Sequence, residues 1–552
     1  MPSPFAAMLG RLNLQYRVAV GSADRIPREG PVVVCANHPF GLADGLVLGA
    51  LVASVRSDVR FLANSMLMAA SGLSDAVIPV SPFGNAEHQN ANGLREALRW
   101  LRDGHALIVF PAGEVAAWSA QSRKVTEPEW NEIVARLVRK TQATVCPVFV
   151  HGTNSPVFHA AGLVHPTLRT LLLPHELFNK QGRCIEVTLG SSIPATALAA
   201  CATDREAIDY LKWRCHVLGE RKDLKLAFPP LPFRSLPVSG RKLKPIALGE
   251  DPEQCAKELT SCPVLVSHGE LVVYLTEASQ IPCTIRELGR VREIAFRSVG
   301  EGTGAERDLD LFDQHYKHLI AWNTVKNEIA GSYRMACTDE VLPTYGAPGL
   351  YTSTLFRYKP GFLEGVTPAI ELGRSFVAPA YQKSFAALLL LWKAIGQFVA
   401  RHPEYKTLFG PVSISSDYSR LSKELMISYL RRRHSNSALA NAVTPMHPYR
   451  LKRNVTADAA ATVAHLSDAI ADLEPDRKGL PVLIRQYLNL GGELIDFNLD
   501  PAFSDCIDGL LVLDLRNTEP RLLAKYLGTS GAEGFLRFHS VTTKETSSMS
   551  NV

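Results

Sequence analysis

The sequence lacks both a C-x-x-C cysteine pair and a long apolar run. Its ten cysteines are scattered between Cys35 and Cys506, a spacing that favours neither a zinc site nor a disulfide framework and is typical of a reducing setting. The longest apolar runs, Gly45 to Ala53 and Phe385 to Trp392, are far shorter than the roughly 20 residues of a transmembrane helix. The N-terminal residues contain no apolar core of a secretory signal. We therefore expect a cytoplasmic protein that contacts the inner face of the cell membrane peripherally.

The sequence also has little net charge. A formal charge of +5 over 552 residues is too small to argue for nucleic acid as a partner. It fits an acidic protein or an anionic lipid surface, attracted by local basic clusters. The candidate clusters are Arg431–His434, Lys452–Arg453 and Arg241–Lys244. The segment from Phe5 to Tyr16 is a candidate for lying on the membrane surface, although its apolar stripe is short.

The composition is that of a globular protein. Hydrophobic residues make up 46% and charged residues 20% of the chain, and its length predicts two or three domains of about 100–200 residues each. Between residues 30 and 220, strand-like segments alternate with helix-like ones. The strand-like segments are PVVVCA, DVRFLA, AVIPV, ALIVFPAG, TVCPVFV and CIEVTLG. This alternation predicts a largely parallel or mixed sheet covered by helices.

A proline-rich stretch divides the chain. Six prolines lie between Pro229 and Pro252, which predicts an extended linker and a domain boundary. A second αβ pattern follows, with strand-like ELVVYL, HLIAW and GLLVLDL and helix-like TIRELGRVREIAF and SFAALLLLWKAIGQFVARH. We therefore predict an α/β protein with two αβ domains. The predicted parts are residues 1–225, a linker over 226–265, residues 266–528 and a flexible tail over 529–552.

An imidazole and a carboxylate lie close together in the first domain. In VVVCANHPFGLADG an apolar strand runs into Asn37 and His38, a Pro/Gly turn follows, and Asp44 stands where an apolar helix begins. A histidine whose second nitrogen faces a carboxylate is the minimal apparatus for drawing a proton from a hydroxyl. About seventy residues later, LIVFPAGEVA ends a strand with Gly113 and Glu114 behind it. A glycine there lets a ligand approach the backbone closely.

Over residues 15–220 these motifs resemble glycerolipid acyltransferases of the 1-acylglycerol-phosphate type. That family carries an Asn-His…Asp loop, a Phe-Pro-x-Gly block and a later strand with a proline, matched here by VCPVFV. The resemblance implies that His38 is the base that deprotonates an acceptor hydroxyl for attack on an acyl thioester. It implies that Asp44 orients the ring, and that Asn37, Gly113 and Glu114 contribute to the acceptor site.

Two departures from that family concern the acceptor. Five residues, and not the usual four, separate His38 from Asp44, and Ala112 stands where the family has glutamate. Gly41 permits the tight bend that would bring the two side chains together. The altered block indicates that the acceptor head is not a glycerol phosphate. The segments NHPFGLADG, FPAGEV and VTEPEW (Val125 to Trp130) resemble a subgroup that acts on aminolipids.

Charged residues recur in the predicted strands and helices of the second domain. A charged side chain inside a buried sheet must form an ion pair or serve in a functional site, because burying an unpaired charge costs free energy. A structural ion-pair network and a functional site are both open interpretations. The residues concerned, in the order Arg-x-x-x-Phe, Asp-x-x-Asp, Arg and Glu-x-x-Arg, are Arg292, Phe296, Asp310, Asp313, Arg334, Glu371 and Arg374.

As a set these residues resemble acyl-homoserine-lactone synthases and the haemolysin-like ornithine N-acyltransferases, over residues 268–527. The resemblance implies a fold of the N-acetyltransferase (GNAT) type. An amine must lose a proton when it attacks a thioester, and a nearby carboxylate can take it. Glu371 is our candidate for that base, or it binds the ammonium group while water takes the proton. We expect Arg334 and Arg374 to hold acidic groups of donor or acceptor, and Arg292, Phe296, Asp310 and Asp313 to complete the substrate site.

The acyl donor is expected to be a carrier protein. After SFVAPAY the chain gives Gln382 to Phe385, with no glycine-rich turn for a pyrophosphate. A helix starting near Ser384 would still offer backbone N–H groups to a single phosphate. The phosphopantetheine arm of acyl carrier protein has one phosphate, and that protein is acidic, which suits the basic clusters. We expect no metal and no bound cofactor.

Together the two domains resemble the bifunctional ornithine-lipid synthases. The resemblance implies that the second domain transfers a 3-hydroxyacyl group to the α-amine of ornithine, and that the first domain then acylates the 3-hydroxyl of the resulting lyso-ornithine lipid. Ornithine itself depends on the resemblance, and glycine, lysine or another amino acid remains open. Two further alternatives are acylation of lysophospholipids and a catalytically dead domain that only docks acyl carrier protein or membrane.

Overall fold

The chain forms two compact units in a computed structural model that describes residues 3–64, 73–80, 87–221, 243–435, 437–451, 457–503 and 505–549. The first unit comprises the described residues up to 221 together with 457–479. The second comprises the described residues 243–451 and 480–549. The first unit contains a mostly parallel sheet and the second a mixed sheet, and both units also contain helices. The predicted α/β class is therefore confirmed.

The strands of the first unit are β1 (Gln15–Val20), β2 (Val32–Ala36), β3 (Val59–Asn64), β4 (Val77–Val80), β5 (Ala106–Val109), β6 (Ala117–Ser119), β7 (Lys124–Thr126), β8 (Thr144–Val150) and β9 (Cys184–Leu189). Its helices up to residue 219 are α1 (Pro4–Arg11), α2 (Leu42–Ala53), α3 (Glu87–Arg102), α4 (Ile133–Thr141), α5 (Pro156–Val164), α6 (Pro166–Leu171), α7 (Leu173–Phe178) and α8 (Asp204–Gly219).

Seven strands of the first unit form one sheet in the order β1-β9-β8-β2-β5-β3-β4. All neighbouring pairs are parallel except β8 and β9. The central strand β2 faces apolar cores on both sides, with Val32 and Val34 in one core and Val33 and Cys35 in the other. A doubly covered parallel strand is apolar at every position, which explains the run of valines that leads into Asn37.

Helix α1 packs on the core of the first unit. Phe5 and Leu9 are buried, and the Phe5 ring lies against Gly49 of α2, where a Cβ would come within 2.6 Å of it. The apolar stripe expected to lie on a membrane within Phe5 to Tyr16 is therefore part of the core, and that expectation is wrong. Along the described ranges, no helix is both long and apolar enough to cross a bilayer.

The strands of the second unit are β10 (Val264–His268), β11 (Leu271–Glu277), β12 (Lys317–Asn323), β13 (Glu328–Cys337), β14 (Phe356–Tyr358), β15 (Ala369–Val377), β16 (Thr407–Ile414), β17 (Val443–Pro445), β18 (Glu493–Asp500) and β19 (Cys506–Asp514). The remaining helices are α9 (Pro252–Thr260), α10 (Pro282–Ser298), α11 (Thr338–Tyr345), α12 (Phe362–Val366), α13 (Ala386–Arg401), α14 (Arg420–Arg433), α15 (Ser437–Ala440), α16 (Val463–Leu473), α17 (Val482–Asn489), α18 (Pro520–Leu527) and α19 (Thr529–Met549), of which α16 belongs to the first unit.

The large sheet of the second unit opens between two neighbouring strands. Its order is β10-β11-β12-β13-β15-β16-β19-β18, and β15 and β16 are parallel over only three facing pairs, from Ala369–Thr407 to Glu371–Phe409. At Gly410 the strands are so close that a Cβ would lie 2.0 Å from the Leu372 carbonyl oxygen. Beyond this point β15 continues along β13 and β16 along β19, so a cleft opens between them.

Three segments differ from the organisation expected from sequence. Residues 226–242 of the expected linker lie outside the described residues, as do Arg241, Lys242, Lys452 and Arg453 of the basic clusters, but the end of that linker includes helix α9. The chain from residue 529 forms helix α19, whose Ala532 and Phe535 are buried. Residues 457–479, expected in the second domain, pack with the first unit.

A buried ion pair attaches helix α16 to the first unit. Arg214 Nη2 of α8 lies 2.6 Å from Asp472 Oδ2, and both side chains are 1% exposed. The second carboxylate oxygen accepts the backbone N–H of Ser191 at 2.7 Å. Because the interior solvates an unpaired charge poorly, removing one partner of such a pair is strongly destabilising.

We predict that Asp472→Ala lowers the free energy of unfolding of the first unit by about 3–5 kcal/mol, since it leaves the Arg214 guanidinium buried without its carboxylate. The matched control is Asp24→Ala, which removes an exposed pair with Arg28 and should cost about 0–1 kcal/mol. Urea unfolding followed by peptide-resolved hydrogen exchange separates the two units. Equal losses in the two variants would contradict the assignment.

Candidate active sites

The end of β2 and the start of α2 bring His38 and Asp44 together. Nδ1 of His38 lies 3.0 Å from Oδ2 of Asp44. Between them Gly41 has a φ of 87°, a left-handed conformation that glycine adopts without the steric penalty of a side chain. The bend at Gly41 therefore accommodates the unusual five-residue spacing.

The backbone of the same turn holds Asp44. Its side chain is fully buried, and Oδ2 accepts the N–H groups of Phe40 at 2.8 Å and Gly41 at 3.0 Å. A carboxylate in the first turn of a helix is also favoured by the helix dipole. An aspartate fixed in this way is suited to orienting an imidazole ring.

The ring of His38 is enclosed on one side and partly open on the other. It stacks on Phe110 with ring centroids 4.0 Å apart, and its side chain is 17% exposed. Nδ1 is buried 3.0 Å from Asp44 Oδ2 without a hydrogen bond of regular geometry, and Nε2 is the nitrogen left for a ligand. The backbone is held as well, because the carbonyl of His38 accepts the N–H of Ala116 at 2.9 Å.

Glu127 is a candidate site residue that sequence reasoning did not name. Its Oε1 accepts the backbone N–H of His38, and its Oε2 accepts Nε1–H of Trp130 at 3.0 Å and lies 3.5 Å from Nε2 of His216. The carboxylate is only 4% exposed. The segment VTEPEW contains this Glu-Trp pair, but a sequence does not show that the glutamate folds back onto the histidine loop.

The other predicted residues of the first site lie at different depths. Asn37 is buried and exchanges two hydrogen bonds with the backbone of Val150, at 2.9 and 2.7 Å, so it braces β2 against β8. Gly113 has a positive φ of 69°. Glu114 is 44% exposed and pairs with Arg169 at 2.9 Å, which ties the FPAGEV block to helix α6.

The predicted arginines of the second unit are buried against aspartates. Arg292 is 1% exposed and reaches Asp313 at 2.7 Å and the carboxylate of Asp308 at 2.8 Å. Arg334 is also 1% exposed, and its Nη1 lies 2.6 Å from Asp310 and 3.2 Å from Asp313. These contacts link α10, β13 and the turn before β12 into one network.

Arg374 completes this network, which then contains three arginines and three aspartates. Its Nη2 lies 3.3 Å from Asp310 and its Nε 3.5 Å from Asp308. Burial alone would raise the pKa of Asp313, but Arg292 and Arg334 outweigh it and hold that pKa well below its usual value. A buried carboxylate kept charged in this way needs its cations. For Arg292, Asp313 and Arg334 the contacts are those of the ion-pair network that the sequence left open.

The side chain of Glu371 is buried against the turn that contains Tyr351 and Thr352. It is 1% exposed and accepts the N–H groups of Thr352 at 2.7 Å and Tyr351 at 3.1 Å, together with the hydroxyl of Tyr316. Burial raises the pKa of Glu371, and the bonds from Thr352 and Tyr316 oppose that rise only in part. The carboxylate therefore fixes the backbone of Tyr351 and Thr352.

A cavity of about 130 Å³ lies where β15 and β16 part. Two of the predicted residues, Phe296 and Arg374, line it, and Glu371 reaches it through Tyr351, which also lines it. Sequence reasoning missed three acidic residues of the lining, which are Glu301, Asp500 and Asp508. Their signal was weak, because a lone acidic residue in a loop, as at Glu301, or in a strand, as at Asp500 and Asp508, looks in sequence like one exposed to solvent.

Both units match models of acyl-transferring families. Residues 14–224 match the family described as "Acyltransferase", and residues 291–393 match the family described as "Acetyltransferase (GNAT) domain". The first match contains the His38–Asp44 pair and the second contains the whole arginine network. The protein is therefore an acyltransferase with two αβ domains, as predicted.

Three known proteins are similar in sequence to parts of this chain. The chain is 36% identical over 237 residues to a glycine N(alpha)-acyltransferase of Bacteroides thetaiotaomicron. The aligned region covers 40% of this chain and 69% of that protein. At this identity and coverage the chain belongs to the family of that N-acyltransferase. It is also 26% identical over 206 residues to a lyso-glycine lipid O-acyltransferase of the same organism, covering 36% of this chain and 74% of the relative. An L-ornithine N(alpha)-acyltransferase of Rhodobacter capsulatus is 29% identical over 197 residues, covering 34% and 66%.

We predict that Glu127→Ala loosens the histidine loop. The variant leaves the His38 N–H without its acceptor, and an unsatisfied group of this kind costs about 1–3 kcal/mol. Amide exchange in a peptide covering residues 37–41 should become about 10-fold faster, measured by mass spectrometry. Glu129→Ala is the control, because Glu129 is 84% exposed. Unchanged exchange in Glu127→Ala would refute the role given to this carboxylate.

Proposed function

We propose that the chain is a bifunctional acyltransferase that makes an acylated amino-acid lipid, first forming an amide in the second unit and then an ester in the first. The observation that carries this proposal is that one chain contains both a GNAT-type unit and a unit with a histidine held 3.0 Å from a buried aspartate. The relatives named for the two corresponding reactions support it, since one is an N-acyltransferase and the other an O-acyltransferase.

In the amide-forming step the amine of the amino acid attacks the carbonyl carbon of an acyl thioester. The C–N bond forms, the C–S bond breaks, the thiol leaves, and one proton of the ammonium group passes to water or a carboxylate. We take the donor to be a 3-hydroxyacyl group on acyl carrier protein. Where β15 and β16 part, their facing backbone groups no longer pair with each other and are available to an extended phosphopantetheine arm.

Glu371 serves this step as a positioning residue in our proposal. Its carboxylate is 1% exposed, and its oxygens accept two backbone N–H groups and a phenol. An amine could reach it only by displacing those donors. We therefore assign to Glu371 the placement of Tyr351 at the cavity, and not the direct removal of a proton that the sequence suggested as one option.

In the ester-forming step His38 acts as the base. Nε2 of His38 takes the proton of the 3-hydroxyl group, and the oxygen of that hydroxyl group attacks a second acyl thioester. Asp44, at Nδ1, stabilises the imidazolium that forms and keeps the ring in place. The imidazolium then returns the proton to the thiolate that leaves. Such a base typically contributes about 10²–10⁴-fold to the rate.

The amino acid is ornithine in our proposal, as the sequence resemblance implied, and one relative is named for it. Glycine is the second candidate, favoured by the higher identity of the relative named for glycine. The lysolipid has one chain and the product two, so the lipid substrate and the product of the ester step lie at a membrane surface. We accordingly place the protein at the inner face of the cell membrane, in contact with acyl carrier protein.

We predict the lipids made when the chain is expressed in a host without aminolipids. Wild type should produce a ninhydrin-positive lipid with two chains. His38→Ala should accumulate the N-acyl lipid with one chain, because only the ester step loses its base. Glu371→Ala should make little of either. Lipid extraction, thin-layer chromatography and mass spectrometry of the amino-acid head measure all three outcomes.

A matched variant separates the two roles of Glu371. Glu371→Gln keeps the size of the side chain and one acceptor oxygen, which can still accept the N–H of Thr352, so a positioning role predicts that part of the amide-forming activity survives. A direct base would lose it by about 10²-fold or more. A His38→Ala extract identical to that of wild type would end the assignment of the first unit.

A further inference from the structure

The cavity at the strand opening has more acidic than basic side chains among its described lining residues. Arg374 is the one cation among its described lining residues, and its guanidinium is already paired with Asp308 and Asp310. The same lining contains the carboxyl groups of Glu301, Asp500 and Asp508. A cavity with this composition favours a ligand that brings positive charge.

Asp508 has the capacity to bind such a ligand. It is 4% exposed, and Oδ1 accepts the hydroxyl of Ser413 at 2.6 Å. Among the described residues, the donor to its other oxygen is the thiol of Cys506 at 3.9 Å, a weak donor. An ionised carboxylate offers about four lone-pair positions, so Oδ2 retains room for a strong N–H donor. Burial raises the pKa of Asp508 to about 6.

The neighbouring groups of the cavity are complementary to the other end of an amino acid. Arg374 Nη1 donates to the hydroxyl of Tyr351 at 3.3 Å, and both residues line the cavity. A guanidinium beside a phenol is a donor set that binds a carboxylate. Burial raises the pKa of Glu301 to about 8, helped by Asp508 and Asp417, so without a ligand this side chain is mostly a neutral acid at pH 7, and a bound ammonium group would favour its ionised form.

We propose that this cavity binds the amino-acid acceptor as a zwitterion, with an ammonium group at Asp508 and Glu301 and the carboxylate toward Arg374. The inference rests on the amide-forming activity proposed above. It assigns the ammonium end of the acceptor to Asp508 and Glu301, which lie outside the charged set recognised in the sequence, and the carboxylate end to Arg374, which belongs to that set. The cavity adjoins the opening between β15 and β16, so a bound amine lies next to the place proposed for the thioester.

The test uses the purified full chain with acyl carrier protein loaded with a 3-hydroxyacyl group, and with L-ornithine or glycine as the probe. Asp508→Asn keeps the size of the side chain and removes its charge. We expect the KM for the amino acid to rise by about 10- to 100-fold, the loss typical of a hydrogen bond to a charged group, while the KM for the acyl donor is unchanged. Titration calorimetry of the amino acid without donor should show the same loss of affinity.

Two controls keep the outcome clear. Asp514→Asn lies on the same strand, in an exposed pair with Arg516, and should leave both constants unchanged. If Asp508→Asn does not fold, Glu301→Gln is read in its place, with the same rise expected. A greater loss with ornithine than with glycine assigns the acidic side chains to the second ammonium group, and equal losses assign them to the α-ammonium group.

Different results would refute the proposed acceptor site and the amide-forming activity on which it rests. Wild type that forms no N-acyl amino acid with either probe would refute the proposed function itself. Wild type that is active, with an unchanged KM for the amino acid in both Asp508→Asn and Glu301→Gln, would overturn only the acceptor site.

Discussion

A buried carboxylate that accepts two backbone N–H groups shapes each of the two sites. Asp44 accepts the N–H groups of Phe40 and Gly41, and Glu371 accepts those of Tyr351 and Thr352. Turns and the first residues of helices leave such donors without a partner in the element itself, and an unpaired buried donor is costly. The carboxylate therefore stabilises the turn and at the same time fixes a functional side chain, the His38 ring in one case and Tyr351 in the other.

The second unit contains two groups of charged residues, which are the buried ion pairs around Arg292 and Arg334 and the acidic side chains that line the cavity. Around Arg292 and Arg334, each guanidinium lies within ion-pair distance of aspartates, and the low exposure of this network leaves it little contact with substrate. A few residues away, the parting of β15 and β16 creates a cavity with more carboxyl groups than cations. Arg374 belongs to both regions, which explains why its sequence context alone did not reveal which role it has.

Much of the fold could be predicted from pattern. The valine run of β2 and the apolar helix α13 are recognisable because burial on both faces requires apolar residues throughout. Helix α16 was not predicted to join the first unit, because the residue that attaches it, Asp472, pairs with Arg214 more than 250 positions away. Helix α1 was misread for a related reason. Its apolar stripe fits a membrane surface or a protein core equally well, and only the presence of Gly49 opposite Phe5 decides between them.

The sequence by itself determined that an imidazole and a carboxylate meet in the first unit, because His38, Gly41 and Asp44 lie within seven residues of one another and a local turn is enough to join them. It also determined that the chain contains two αβ domains. Only the tertiary structure decided that Glu127 holds the histidine backbone, that Glu371 is enclosed, and that Glu301 and Asp508 share a cavity. Those contacts join residues tens to hundreds of positions apart, and the packing of whole sheets and helices, which no local pattern encodes, sets their distances.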